Sequence, residues 1–188
     1  MSKIHFFTAL SLVLLLHACQ PAAKQEVAEA SLTQEVDVEQ KLKDMGIELY
    51  DLPQPTANFV RAVRTGNLVF MAGHGPSTPD GDTIRGKLGQ DISIEEGQQA
   101  ARYAGITLLS ALKGEIGDLN KVKRIVKVLG MVNGTTDFTQ QPQVMNGFSD
   151  FMVEVFGEKG KHARSAVGMA SLPGNIAVEI EMIVEVED

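Results

Sequence analysis

The sequence has no tryptophan, only two tyrosines and a single cysteine. Aromatics make up 5% of the chain, so a core has to be built from aliphatic side chains, with methionine filling gaps. One cysteine excludes an intrachain disulfide. No His-x-x-x-His pair, second cysteine or carboxylate cluster accompanies the histidines, so no metal site is expected. The apolar run near the N-terminus, Phe6 to Leu16, falls short of the roughly 20 residues of a spanning helix. Positive charge is also scarce. Seventeen Lys and Arg face 24 Asp and Glu, a formal net charge of −7, which disfavours a protein that tracks phosphates. There is no internal repeat.

What is present begins with a leader-like segment. Lys3, the apolar run and the small residues after it have the layout of a secretory signal. Leu16-His17-Ala18-Cys19 resembles the cleavage site of a bacterial lipoprotein, although His17 stands where a small residue is more usual. On this reading residues 1–18 are a signal peptide and Cys19 is the lipidated first residue of an exported, membrane-anchored protein on the periplasmic side. Several acyl chains anchor durably where one does not. Removing Lys3 with the signal takes the charge from −7 to −7 − 1 = −8. Residues 19–36, rich in Ala, Gln, Glu and Val, read as a flexible tether. Residues 37–188 read as one domain.

Within that domain Asp37 can cap a short helix reaching Met45, with Gln40 three residues on and Gly46 as its stop. Phe59–Arg64 and Leu68–Ala72 read as strands around Thr65-Gly66-Asn67. Residues 73–90 are loop-like, and His74 reads as an exposed loop residue. Ser93-Ile-Glu-Glu96 is a capping box opening a helix to about Glu115, with Ala101, Ala104, Leu108 and Leu112 as its core face. Val122–Val132 is a strand with Lys123, Arg124 and Lys127 interleaved. A nucleic-acid surface is conceivable there, but a solubilised sheet edge is the plainer reading. Pro142 opens a second helix ending at Gly157, with Phe148, Phe151, Met152 and Val155 as its apolar stripe.

Lys161–Glu185 reads as strand, tight turn at Pro173-Gly174-Asn175, and strand: a β-hairpin. In its second half Val178, Ile180, Met182 and Val184 point one way, and Glu179 and Glu181 the other. His162 and Glu181 read as solvated. A two-residue turn would set Arg164 opposite Ile183, roughly 14 Å from Glu179. Any small ligand touching both is then expected to do so across a subunit interface. The element order predicts an α+β, two-layer domain, a mixed sheet with two helices on one face. The other sheet face is left to solvent or to further subunits.

The residues of this last stretch resemble a known family. Ala163-Arg164-Ser165-Ala166-Val167, then Ala170-Ser171-Leu172-Pro173, then Val178-Glu179-Ile180 is similar to the C-terminal signature of the RidA family, also called YjgF, YER057c and UK114. Phe59-Val60-x-Ala62-Val63, Gly66-Asn67-Leu68, Ala72-Gly73 and Asn146 extend the resemblance over about Leu49–Val186, closest to a longer branch with an extra N-terminal helix. It implies a chorismate-mutase-like fold and a homotrimer with a barrel-like centre and sites between subunits. The implied activity is cofactor-free hydrolysis of enamines and imines, such as 2-aminoacrylate and 2-iminopropanoate, to 2-keto acids and ammonia. By position, Arg164 would grip the substrate carboxylate and Glu179 would activate water. Gly73 and Ala166 would line the pocket, with Asn146 nearby. Phe59 stands where deaminating members carry a tyrosine that helps close the site, and reads otherwise as pocket wall or core. Ala166 replaces a common cysteine. The alternative is a non-catalytic trimer that keeps Arg164 as a carboxylate receptor. An endoribonuclease, suggested by an older family name, is disfavoured by the acidity.

Overall fold

A computed structural model describes residues 37–78 and 80–188. The proposed signal peptide, Cys19 and the tether lie outside the described residues. Among the described residues three α-helices and five strands follow in chain order: α1 (Val38–Asp44), β1 (Ala62–Thr65), β2 (Leu68–Met71), α2 (Ile94–Ile116), β3 (Val122–Asn133), α3 (Gln141–Phe156), β4 (Ala163–Met169) and β5 (Val178–Val186). They form the expected two-layer α+β domain on one mixed sheet, in the order β1-β2-β5-β3-β4. No helix among the described residues is long and apolar enough to cross a membrane.

Local chemistry sets the helix starts. The Asp37 side chain accepts from Gln40 N, although the Gln40 side chain turns to Asp44 instead of completing a box. The box at α2 is complete: Ser93 Oγ accepts from Glu96 N at 3.2 Å, and Glu96 Oε2 accepts from Ser93 N at 2.7 Å. Gly117, at φ 80°, ends that helix in a conformation costly for other residues. The expected core stripes are buried: Ala101, Ala104, Leu108 and Leu112 of α2, and Phe148, Phe151, Met152 and Val155 of α3. The two helices cross closely because α2 and α3 offer glycines there. A Cβ on Gly105 would collide with Phe151, and one on Gly147 with the Gln98 carbonyl.

Three expectations about the sheet are corrected. The first strand is shorter than expected, starting at Ala62, so Phe59 and Val60 precede it. The basic strand β3 is not an edge. It lies between β5, antiparallel, and β4, parallel. The stretch around Pro173 is therefore not a hairpin, since β4 and β5 flank β3 and do not pair. A strand–helix–strand segment favours a parallel pair, so the β3–α3–β4 segment sets β4 along one side of β3. β5 then takes the other side. Pro173–Asn175 is a 3₁₀ turn carrying the chain across the end of β3. Buried Asn133, the last residue of β3, holds that passage by donating to Asn175 Oδ1 at 2.9 Å and the Ile176 carbonyl at 3.2 Å.

β5 alternates as expected, with Val178, Ile180, Met182 and Val184 buried beneath the helices. The opposite sheet face is open. Val63, Phe70 and Ile183 stand side by side across β1, β2 and β5, and Glu179, Met131 and Val167 across β5, β3 and β4. Val63, Phe70 and Val167 are 56%, 41% and 39% exposed.

Candidate active site

Arg164 sits on the edge strand β4, opposite Val128, a buried residue on the helix side. Its guanidinium therefore reaches toward α3. Nη1 donates to Asn146 Oδ1 at 3.1 Å and to Ser149 Oγ at 2.9 Å, and Nη2 donates to the Pro142 carbonyl at 3.3 Å. Pro142, Asn146 and Ser149 are spaced i, i+4, i+7, one stripe of α3. Three of five N–H donors are thus used on the protein side. Nε–H and one Nη2–H have no acceptor among the described residues. These two form the side-on fork of arginine, which matches a carboxylate with two parallel bonds. Ala166, two positions along β4 and half-buried, lies on the same face.

Glu179 is on the other face of the sheet. It sits opposite Met131, three positions along β3 from the partner of Arg164 and two strands away. Strand geometry alone separates the two backbones by about 14 Å, and the side chains point to opposite faces. None of the ion pairs among the described residues joins them. The Glu179 carboxylate lies over Gly73, where a Cβ would overlap Oε1. Gly73 is thus the residue that makes room for the acid. Burial raises the Glu179 carboxyl above the ordinary carboxylate value, and the neighbouring Glu181 charge adds to the rise. A carboxylate raised in this way is a better proton carrier near neutral pH.

Phe59 is in neither cluster. It is 57% exposed, which removes the core reading, and it precedes β1, the edge strand on the side of the sheet away from β4 and Arg164. It lines a groove of about 450 Å³ with Asp51, Gln54, Arg61 and Ala111. A larger groove, about 590 Å³, runs between α1 and α2 past Tyr50 and Lys113 and contains none of the expected site residues. One protomer thus unites Arg164, Asn146 and Ala166, unites Glu179 with Gly73, and leaves Phe59 apart. Among the described residues no group of three or more His, Cys, Asp or Glu could hold a metal.

Two side chains beside Arg164 escaped sequence reasoning. His162, read as solvated, is half-buried and bonded through both ring nitrogens, to Ser149 Oγ at 3.1 Å and the Gly160 carbonyl at 2.7 Å. Ser149 is not among the site residues the sequence points to. A signal existed for each. Ser149 completes the polar stripe next to the apolar one on α3, and His162 precedes Arg164 by two, on the same side of an extended chain. His74 is also half-buried, with Nδ1 2.8 Å from the Ala72 carbonyl. Burial lowers the affinity of both histidines for a proton, and nearby Arg164 and Arg61 add to the effect at His162 and His74 respectively. Glu181 is exposed, as expected.

Residues 39–186 match the family model described as "YjgF/chorismate_mutase-like, putative endoribonuclease". Protein TCP17 of Trypanosoma cruzi is 40% identical over 148 residues, 78% of this chain and 92% of that protein. A protein of Dermatophagoides farinae named 2-iminobutanoate/2-iminopropanoate deaminase is 32% identical, over 72% of this chain and 91% of its own length. Among solved structures, Atu1372 of Agrobacterium tumefaciens, described as of unknown function, aligns with a TM-score of 0.74 and 38% identity, covering 80% of this chain and 94% of that one. With its signature strands, its five-stranded mixed sheet and these relatives, the chain belongs to the YjgF/RidA family.

Proposed function

We propose that the protein hydrolyses small carboxylate-bearing imines and enamines, such as 2-iminopropanoate and 2-aminoacrylate, to 2-keto acids and ammonia, at sites shared between subunits of a homotrimer. The observation that carries this reading is Arg164. Its inner donors are consumed by α3 and its side-on fork is left for a carboxylate. The separation of Arg164, Glu179 and Phe59 within one protomer favours a site completed by a second copy. The half-exposed apolar sheet face supplies a surface for it.

In the proposed reaction Arg164 orients the substrate through its carboxylate, and Glu179 draws a proton from water. An enamine reacts as its imine tautomer, reached by moving a proton from nitrogen to the terminal carbon; the water oxygen then bonds to the imine carbon as the C=N π electrons move to nitrogen, which takes up a proton from solvent. Glu179 then returns its proton to the amino group of the carbinolamine. The C–N bond breaks, ammonia leaves, and the hydroxyl proton returns to solvent as the C=O forms, replacing the one taken up at nitrogen. No electrons enter or leave, and the reaction needs no cofactor. The net negative charge disfavours a nucleic acid as substrate.

The test is hydrolysis of 2-iminopropanoate, generated in situ, by purified mature protein. Acceleration lost in Arg164→Ala is expected, and no acceleration by the wild type would overturn the reading. A non-catalytic carboxylate-binding trimer is favoured by one specific observation, phenylalanine at position 59. The two readings separate on Phe59→Tyr, which raises turnover in a weakly active enzyme and leaves a pure binder inactive. We also propose export and lipid anchoring at Cys19. Cys19→Ser is expected to release the protein from membranes on fractionation, and unchanged association would refute the anchor.

A further inference from the structure

Arg164 can serve as a carboxylate receptor only if its fork is aimed, and a flexible side chain on an edge strand is not aimed by default. The hydrogen bonds behind it decide the direction. His162 Nδ1 faces the Gly160 carbonyl at 2.7 Å. A carbonyl only accepts, so Nδ1 carries the proton and Nε2 of the neutral ring is an acceptor. Nε2 is 3.1 Å from Ser149 Oγ, so the hydroxyl proton points at the histidine. The lone pairs of Ser149 are thereby turned to Arg164 Nη1, 2.9 Å away.

Each member of this chain is fixed in turn. The His162 ring packs edge-on against Phe148, with centroids 5.8 Å apart at 70°. Gly160 lets the backbone pass against α3 so closely that a Cβ there would strike the Met152 carbonyl. Burial, with Arg164 nearby, keeps the ring neutral at neutral pH. We propose that Ser149 and His162 are positioning residues, forming a one-directional relay from the Gly160 carbonyl through His162 and Ser149 that pins Nη1 of Arg164 and presents its Nε–Nη2 edge to the carboxylate of the ligand. The ligand class rests on the function proposed above, whereas the relay is a property of the protein alone.

Two measurements test it separately. Nitrogen NMR of the full-length protein at pH 7.5 is expected to show His162 protonated at Nδ1 and bare at Nε2, with separate, slowly exchanging Nη signals for Arg164. Those Nη signals are expected to merge in Ser149→Ala. A proton on Nε2, or merged Nη signals in the wild type, would overturn the relay whatever the ligand. The second measurement is calorimetric titration with 2-oxobutanoate, a 2-keto acid of the product class. Ser149→Ala is expected to weaken binding about tenfold, and Ser149→Thr, which keeps the hydroxyl, to restore it to within about threefold. In an Arg164→Lys background, which lacks the fork, Ser149→Ala is expected to change nothing further. An equal loss in both backgrounds would mean that Ser149 serves only folding, and would sink the inference. A wild type with the expected NMR signature that ignores 2-oxobutanoate would count against the proposed function and leave the relay standing.

Discussion

At the scale of single residues, the most informative group is a carboxylate held at a cost. Glu179 is half-buried over Gly73, beside Glu181, and among the described residues it accepts no hydrogen bond that would offset its lost hydration. Its folded value lies above the ordinary 4.5. The protonated acid is thus favoured by folding, and this contribution is present below the unfolded value and is lost as pH rises through the folded one. At neutral pH the ionised Glu179 therefore destabilises the fold. Glu179→Gln, which removes the charge and keeps the shape, is expected to melt above the wild type at pH 7.5. The difference should shrink as the pH falls into the carboxylate range, and hydrolysis should be lost throughout. His74 and His162 move the other way. Their folded values lie below the ordinary 6.5, so stability falls as the pH drops from there, equally in wild type and variant. The difference between the two proteins thus isolates Glu179. A Gln variant that melts lower at pH 7.5 would mean that the ionised acid is stabilised by native partners, and would remove the argument that it is poised as a proton carrier.

At the scale of elements, what could be read from the sequence was whatever is decided locally. The box at Ser93, the glycine stop at Gly117, the apolar stripe from Phe148 to Val155 and the alternation along β5 each depend on a few neighbouring side chains, and each is where its residues place it. The order of strands is not decided by either of two local signals. Pro173-Gly174-Asn175 spells a turn, and a turn between two strand-like runs reads as a hairpin. The segment before it, strand–helix–strand, calls for a parallel pair of β3 and β4. The parallel pair alone would still leave the outer edge of β4 free; what excludes the hairpin is that β5 pairs one edge with β2 and the other with β3, so none is left for β4. The difference in strand order matters for the site. A hairpin would have set the Arg164 and Glu179 strands side by side, whereas the intervening β3 separates them and sends Arg164 to the helix side. The separation of roughly 14 Å survives by a different route, two strands across and three residues along. Ser149 and His162 are legible only in part, for a related reason. The polar stripe of α3 and the two-residue spacing to Arg164 mark them as candidates, but their contact with each other arises only from the packing of α3 against the start of β4.

At the scale of the whole molecule, the open face of the sheet poses the remaining problem. Val63, Phe70 and Ile183 form an apolar row across three strands, next to a depression of about 400 Å³ bordered by Lys127, Leu129, Ser165 and Glu181. Helices bury the other face, so a protomer alone leaves this one wet. In the proposed trimer this face would be covered, and one copy's Arg164 edge would come within reach of groups from another. Phe70 is the sharpest probe, because it is central to the row and 41% exposed within a protomer. Its replacement by aspartate costs an isolated protomer little, since the new carboxylate stays hydrated. In a closed interface the same carboxylate would be buried without a partner, at several kcal/mol in each copy. A specific interface of about 1,000 Å² or more cannot easily absorb that at micromolar protein. Sedimentation of Phe70→Asp is therefore expected to show monomers where the wild type shows trimers. The monomers should keep a cooperative melt and lose hydrolysis, because Arg164, Glu179 and Phe59 would no longer converge. A monomeric variant that still hydrolysed 2-iminopropanoate at the wild-type rate would place the whole site within one chain, and a variant that remained trimeric would show that the subunits meet elsewhere.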